Sequence, residues 1–349
     1  MSWQWILSNP RIPYGIARGF FRALVLRKNT LRTIDIFPTF NCQARCTMCS
    51  IAKFRKREGT ELTLADYESI AEQGARMGAL AVALCGAEPL LERNICDLIR
   101  IFHSRGYFVS LVSNGMALGP DYARDLRRAG LNAIHFGLES LDEAVNDRLR
   151  SLPGQCRKVL DSVAMCNAEG LLVGICTVFV PGEADRVAAV LRYCQDNGLR
   201  AFLSVLAPVG AAEDARSSSE DEYRQVAAFK SQYPNLSVDW DSSYFLTPRC
   251  PAGKEKIAIT CRGDVLGCSL THISFGNVKQ EPLMRIWQRA SAFSQFKKAP
   301  DRCLAAFDRT YIEQFLPPIA EWDCSPIVYS DHPEITPASE PELFSRHSS

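Results

Sequence analysis

Three cysteines, Cys42, Cys46 and Cys49, are separated by three and then two residues on one short stretch of chain. Three thiolates so close together can grip one face of an iron–sulfur cubane. Such clusters normally take four cysteine ligands, so three leave one iron open for a substrate or cofactor to chelate. A structural zinc site would instead want four ligands, with a second Cys or His pair at comparable spacing, and no such pair lies nearby in the sequence. The chain holds fourteen cysteines. With no charged start, apolar core and small-residue cleavage site at its beginning, they read as reduced cytosolic thiols rather than a disulfide framework.

The elements that must position this loop are short apolar runs alternating with amphipathic helical stretches. Strands are predicted at Thr33–Phe37, Leu80–Cys85, Phe108–Val112, Ala133–Gly137, Leu172–Phe179 and Ala201–Val205, and helices at Leu64–Met77 and Asn94–Ser104. Thr63 with Asp66, and Ser140 with Glu143, carry capping-box signatures. Repeated strand–helix units imply a parallel sheet with right-handed crossovers, and six of them suit a partial (β/α)6 TIM-like barrel. The active site of such an α/β fold lies at the C-terminal strand ends, where the cysteine loop falls.

Around this barrel (31–210) the sequence suggests a lead-in over 1–30, a linker and helix over 211–235, and a smaller α+β domain over 236–330. A tail over 331–349 follows; its Thr336–Ser349 stretch has few large apolar residues and is expected to be disordered. The lead-in mixes Trp3, Trp5, Tyr14, Phe20 and Phe21 with Arg11, Arg18, Arg22, Arg27 and Lys28. Its Ile16–Leu26 pattern predicts a basic amphipathic helix, read as closing one end of the barrel in preference to docking on a membrane surface. Forty basic and thirty-nine acidic residues leave a net charge of +1, which gives no electrostatic reason to expect a nucleic-acid partner. No apolar run reaches the length of a membrane span.

Over roughly residues 31–210 the sequence resembles the radical S-adenosylmethionine (SAM) superfamily, with the three-cysteine spacing as the most specific motif. The resemblance implies a [4Fe-4S] cluster on Cys42, Cys46 and Cys49, its open iron chelated by SAM. Reductive cleavage of SAM then yields a 5′-deoxyadenosyl radical that abstracts hydrogen from substrate, with electrons from a flavodoxin- or ferredoxin-type donor. Gly86-Ala87-Glu88-Pro89 looks like the family's Gly-Gly-Glu-Pro turn, with Ala87 in place of the second glycine. There Glu88 would accept from the methionyl ammonium. Ser113 and Asn114, in Ser113-Asn114-Gly115, match a ribose or carboxylate contact. Glu139 and Ser140 match contacts to the sugar and methionyl carboxylate, while Val178–Pro181 and Pro208–Gly210 match the adenine lining. Met48 stands where an aromatic residue is common, and its thioether can pack on adenine.

Cys250, twelve residues, Gly263, four residues and Cys268 resemble the start of a SPASM/Twitch-type auxiliary-cluster domain, as does Phe275-Gly276-Asn277-Val278. Ile257–Cys261, the turn Arg262–Asp264 and Val265–Cys268 read as a hairpin mount. The resemblance implies a second, auxiliary [4Fe-4S] cluster on Cys250, Cys268, Cys303 and Cys324, with Cys261 as the rival ligand. Four thiolates would also suit zinc. Cys85 and Cys176 on strands, and Cys96, Cys166 and Cys194 on helices, read as core packing, while Cys156 lies in a loop. His135 reads as a core residue or one facing into the barrel, and His272 as a residue near the auxiliary cluster that could ligate it or contact substrate.

The reading favoured is a radical enzyme acting on a small polar metabolite, such as a sugar or cyclitol, by oxidation, epimerisation or rearrangement. A peptide-modifying maturase is the rival; only about thirty residues precede the first strand, too few for a separate peptide-recognition domain. A lipid or isoprenoid substrate is a weaker variant. A non-enzymatic zinc scaffold would require the Gly86–Pro89, Ser113–Gly115 and Glu139–Ser140 matches to be accidental.

Overall fold

In the computed structural model, residues 11–241 and 243–335 are described. Trp3, Trp5 and the Thr336–Ser349 stretch lie outside them. Seven strands pair in chain order, every neighbour parallel: β1 (Thr33–Phe37), β2 (Ala81–Leu84), β3 (Phe108–Ser113), β4 (Ala133–Gly137), β5 (Leu172–Phe179), β6 (Arg200–Val205) and β7 (Leu236–Val238). On the other edge of β1, β8 (Lys256–Thr260) adds in parallel register, with Thr33 opposite Lys256. From there β9 (Asp264–Leu266) turns back antiparallel as the expected hairpin, followed by β10 (Ile273–Asn277) and β11 (Ile327–Val328). The result is one continuous eleven-stranded sheet, so the auxiliary region extends the barrel wall.

Alternation along the strands explains the curvature. On one face Val82, Leu84, Val109, Leu111, Ile134, Phe136, Leu203 and Val205 are buried, each contributing about 1.5–3 kcal/mol by leaving water. On the other face the same strands present Ala83, Ser110, His135, Cys176 and Ser204, which line a cavity inside the barrel. Small and polar side chains there leave space where a doubly covered parallel sheet would carry large apolar ones. This alternation turns Cys85 and Cys176, expected to pack in the core, onto the cavity instead.

Local signals are mostly kept. Thr63 and Asp66 form the predicted capping box for Leu64–Met77, which ends at left-handed Gly78. Ser140 and Glu143 do not form the second one. The cap of Glu143–Arg150 is Asp142, whose side chain accepts from the N–H groups of Ala144 and Val145, while the Ser140 hydroxyl accepts from the Asp142 N–H. Asp142 wins because it directly precedes the helix and its short carboxylate reaches both free donors. A further capping box, Ser219 with Glu222, starts Glu220–Gln232 inside the polar break.

The lead-in forms a helix over Arg11–Phe20 that opens into a π-turn at Phe21–Val25, beginning earlier than its sequence pattern predicts. It docks through buried Ile12 and through Phe20, whose ring meets Tyr244 edge-on at 5.3 Å. Tyr14, Phe21, Leu24 and Val25 are exposed on it. Among the described residues, no helix is long and apolar enough to cross a membrane.

Two histidines, half-buried His135 and fully buried His272, carry a pH signature. Among the described residues the His135 Nδ1 has no hydrogen-bond partner, and it packs against Gly174 of β5. His272 is fully buried, edge-on to Phe54 at 4.8 Å, with Nδ1 3.4 Å from the Ser325 hydroxyl. Burial pulls His135 down to about 4 and His272 to about 3. The unfolded chain takes up these protons near pH 6.5 and the native state does not. Their stabilisation is therefore complete above about pH 6.5 and is lost as the pH falls toward the native values. Denaturant unfolding should show a loss of about 2 kcal/mol per histidine between pH 6.5 and pH 5. His135→Gln and His272→Gln should each remove one share of that slope. An unchanged slope in both variants would place the proton uptake elsewhere.

Candidate active site and cluster sites

The loop after β1 is held from both sides. The N–H of Thr47 donates to the Leu149 carbonyl at 2.9 Å, that of Arg45 donates to the Arg150 carbonyl at 3.3 Å, and the Cys49 carbonyl accepts from Ala211 at 2.9 Å. A 3-10 turn, Ala52–Lys56, follows, and its Phe54 is buried against Phe37 and Phe40 at ring distances of 5.9 and 5.7 Å. Cys42, Cys46 and Cys49 thereby line one cavity of about 240 Å³ at the C-terminal strand ends. Burial pushes the Cys42 and Cys49 thiols up, and the neighbouring Cys46 adds to the effect, while Arg55 opposes it. Thiols so placed are reluctant to ionise until a cationic partner arrives. Bound iron supplies such a partner, so the donor set fits a cluster.

The rim opposite is built from the ends of β2 to β5. Gly86 takes φ of 93° with its α-carbon against Phe37, where a Cβ would lie 2.7 Å from the ring. Only glycine accepts both the angle and the approach. Glu88 is buried and already accepts three hydrogen bonds, from Leu90 N–H at 3.0 Å, the Ser113 hydroxyl at 2.8 Å and Asn114 N–H at 2.7 Å. These bonds tie the β2 turn to the β3 turn. Burial nevertheless raises its proton affinity overall. The Asn114 amide in turn faces the Cys42 sulfur at 3.9 Å.

Glu139, fully buried after β4, is the hub of the third turn. It pairs with Arg150 at 2.5 Å and Arg186 at 3.6 Å, and accepts from the Val178 N–H at 2.8 Å. Gly137 allows this, because a Cβ there would lie 2.2 Å from the Arg150 guanidinium. Of the residues matched to SAM contacts, Met48, Gly86, Glu88, Ser113, Asn114, Glu139 and Val178 line the cavity. Pro89, Ser140 and Pro208 are not among its lining residues. Pro89 opens a short 3-10 turn and Ser140 caps toward Asp142. Arg55 and Arg150 line the cavity and were not anticipated. Each has a buried Nε without a hydrogen-bond partner among the described residues. The only sequence signal for them was the excess of acidic and thiol groups that some cation had to offset.

Beneath this cavity lies the barrel interior, about 390 Å³, sharing Val112, Cys176 and Ser204 with it. Its most polar wall holds Lys256 between Asp239 at 2.6 Å and Asp35 at 3.3 Å. Burial lowers the proton affinity of Lys256, but the two carboxylates outweigh it and raise it well above the usual lysine value. Burial raises Asp35 by more than Lys256 lowers it. His135 faces the same space.

A third, smaller cavity brings together Cys250, Cys268 and Cys303 with Asp239 and Lys256. The Cys250 N–H donates to the Pro300 carbonyl at 2.7 Å, and Gly253 N–H to the Gly267 carbonyl at 2.8 Å, closing the base of the hairpin. Cys324 is not gathered there. Its sulfur lies 3.8 Å from the Ser325 carbonyl and contacts Arg57, which pairs with Asp264 at 3.1 Å beside the hairpin turn. Cys261 sits at that same turn, packed with Phe37, Phe40 and Phe54. The turn is four strand steps from Lys256, about 13 Å at about 3.3 Å per residue. His272 is also absent from the cavity lining; it belongs to the core beside Phe54. Among the described residues, no three Cys, His, Asp or Glu side chains are gathered to hold a single metal ion.

Comparison with known proteins gives these sites a context. The family model described as the radical SAM superfamily matches residues 36–194, and that of an iron–sulfur cluster-binding domain, SPASM, matches residues 250–307. PqqA peptide cyclase of Xanthomonas oryzae pv. oryzae is 26% identical over 292 residues, 74% of each chain. AdoMet-dependent heme synthase of Methanosarcina barkeri is 21% identical over 303 residues, 78% of this chain and 87% of that one. The fold is similar to that of Streptococcus suis SuiB bound to SAM, with a TM-score of 0.62, 17% identity, and coverage of 78% of this chain and 69% of that one. It is also similar to that of anSMEcpe with bound AdoMet, with a TM-score of 0.57, 14% identity, and coverage of 73% and 80%. Residues 36–194 are thus a radical SAM domain and residues 250–307 a SPASM domain, which mark the chain as an enzyme that uses SAM and iron–sulfur clusters.

Proposed function

We propose that the enzyme modifies a peptide, removing a hydrogen atom from a side chain held in the barrel interior. The observation that carries this reading is the cavity of about 390 Å³ that shares Val112, Cys176 and Ser204 with the cofactor cavity. Kinship with a peptide cyclase across 74% of both chains favours a peptide over the small polar metabolite expected from the sequence. In this reading Cys42, Cys46 and Cys49 ligate the SAM cluster, and Cys250, Cys268 and Cys303 the auxiliary one. When bound, the reduced cluster and SAM supply the 5′-deoxyadenosyl radical that takes the hydrogen.

The chain's own residues bind, orient and shield. Gly86 and Glu88 would hold the amino end of the cofactor, and Arg55 and Arg150 would offset the charge of the thiolates. The apolar outer faces of the strands keep water from the interior, where a carbon radical must be protected. Neutral His135 and the Asp35–Lys256–Asp239 group give the substrate polar contacts. A flavodoxin- or ferredoxin-type donor would supply the electron, in the reducing cytoplasm to which fourteen free thiols are suited.

Anaerobically purified protein should contain about eight irons with matching sulfide, and Cys42, Cys46 and Cys49 replaced together by Ala should leave about four. That variant should release no 5′-deoxyadenosine with dithionite. Zinc without sulfide in both samples would overturn the assignment. Glu139→Gln leaves Arg150 and Arg186 short of a buried counter-charge and should cost about 3 kcal/mol of stability, with weaker SAM binding by calorimetry. Unchanged stability and affinity would remove Glu139 from the site. Finally, peptides deuterated at their side chains should pass deuterium into 5′-deoxyadenosine. Label arriving only from deuterated small metabolites would return the substrate to that class.

A further inference from the structure

The auxiliary site holds three thiols where a cubane has four corners, and the fourth cysteine expected from the sequence lies elsewhere. We propose that the Asp239 carboxylate supplies the fourth contact to the auxiliary cluster, an inference that rests on the presence of that cluster. Asp239 lines the cavity formed by Cys250, Cys268 and Cys303. Its negative charge bears on all three thiols, alongside their burial and their mutual repulsion.

The chain path explains the placement. Asp239 directly follows β7, and the Arg249 N–H donates to the Trp240 carbonyl at 2.9 Å. That bond closes the 240–249 segment and sets Cys250 beside the carboxylate. Cys324 cannot be substituted into this set by a rotamer change, because the length of β8 separates its surroundings at the hairpin turn from the hairpin base.

The carboxylate is prepared for such a role. Lys256 Nζ holds one oxygen, Oδ1, at 2.6 Å. Among the described residues the other oxygen, Oδ2, has no hydrogen-bond partner, and the side chain keeps 25% of its surface accessible. A metal-ligating carboxylate fixed through its outer oxygen is the usual outer-shell arrangement. The thiol side is prepared as well, since the Leu270 N–H already donates to the Cys268 sulfur at 3.4 Å. A carboxylate is a harder and weaker ligand for cluster iron than a thiolate, so this corner is the one to exchange or lose its metal first. Asp239 and Lys256 also line the barrel interior, so the carboxylate would meet the cluster on the side shared with that space.

The test uses full-length protein in which Cys42, Cys46 and Cys49 are replaced by Ala, so that only the auxiliary cluster is reconstituted. Iron, sulfide and electron paramagnetic resonance spectra are then compared after adding Cys324→Ala, Asp239→Ala, Asp239→Asn or Asp239→Cys. The Cys324→Ala sample should keep about four irons and the parent spectrum. Asp239→Ala should fall to about three irons and show a three-iron signal on oxidation. Asp239→Asn, close to isosteric and so a control for folding, should change the spectrum in the same direction. Asp239→Cys should restore about four irons with a shifted spectrum. Parent spectra in both Asp239→Ala and Asp239→Asn, or iron loss in Cys324→Ala, would overturn the proposal. A parent variant with neither iron nor sulfide would show that the auxiliary cluster itself is absent, so that the broader reading fails along with this one.

Discussion

An ammonium group inside a protein must be met by carboxylates or give up its charge, and Lys256 is met twice, by Asp239 at 2.6 Å and Asp35 at 3.3 Å. Those three residues come from β8, the end of β7 and the middle of β1. Their meeting fixes several things together. β8 must lie on the edge of β1 in the register that sets Lys256 opposite Thr33, and the chain leaving β7 must return to the hairpin base. Removing one partner of a buried ionic group typically costs about 3–5 kcal/mol. This group therefore specifies how the SPASM region joins the barrel far more sharply than the apolar strand faces, which would tolerate a slip of two residues.

A second charge balance governs the cofactor rim. Three thiols, Glu88 and Glu139 are brought close together, and burial raises the proton affinity of Cys42, Cys49 and Glu88 alike. Arg150 and Arg55 answer from the cavity lining, Arg150 crossing the end of β4 where Gly137 leaves room. Because Glu139 is saturated by Arg150, Arg186 and the Val178 N–H, its work is to hold the guanidinium and the β4 and β5 turns. The rim is thus stiff before any cofactor arrives, and binding need not order it.

Much of this was legible in the sequence, for reasons that differ by residue. β1, β4 and β5 run between the residues their apolar patterns predict, since a strand of Val, Ile and Phe packed under helices leaves a direct trace. The cysteine loop was legible because its chemistry is local. Arg55, Arg150, Asp35, Asp239 and Lys256 were not, because their roles arise from pairing across the sheet, and a charged residue in sequence looks the same whether solvated or buried. The misplacement of Cys324 has the same origin. Counting cysteines after Cys268 ignores that a hairpin has two ends, and Cys250 and Cys268 occupy one while Cys261 and Cys324 occupy the other. Ser140 failed as a cap for a simpler reason, a competing aspartate two residues nearer the helix.

The length of the strands sets the relation between the sites. The cysteine loop leaves β1 after Phe37, and Lys256 stands level with Thr33 at its start, so roughly 13 Å of strand separates the rim from the auxiliary side. The barrel cavity fills that interval, touching the rim through Cys176 and Ser204 and the auxiliary cavity through Asp239, Lys256 and Ser269. Its polar wall has one more carboxylate than ammonium. Asp35, the more buried of the two carboxylates, answers with a raised affinity for a proton. The interior of the barrel therefore ends, away from the SAM-cluster loop, on a buried carboxylate of raised proton affinity in the wall it shares with the SPASM region. That placement follows from a sheet whose eighth strand was added to the edge of its first.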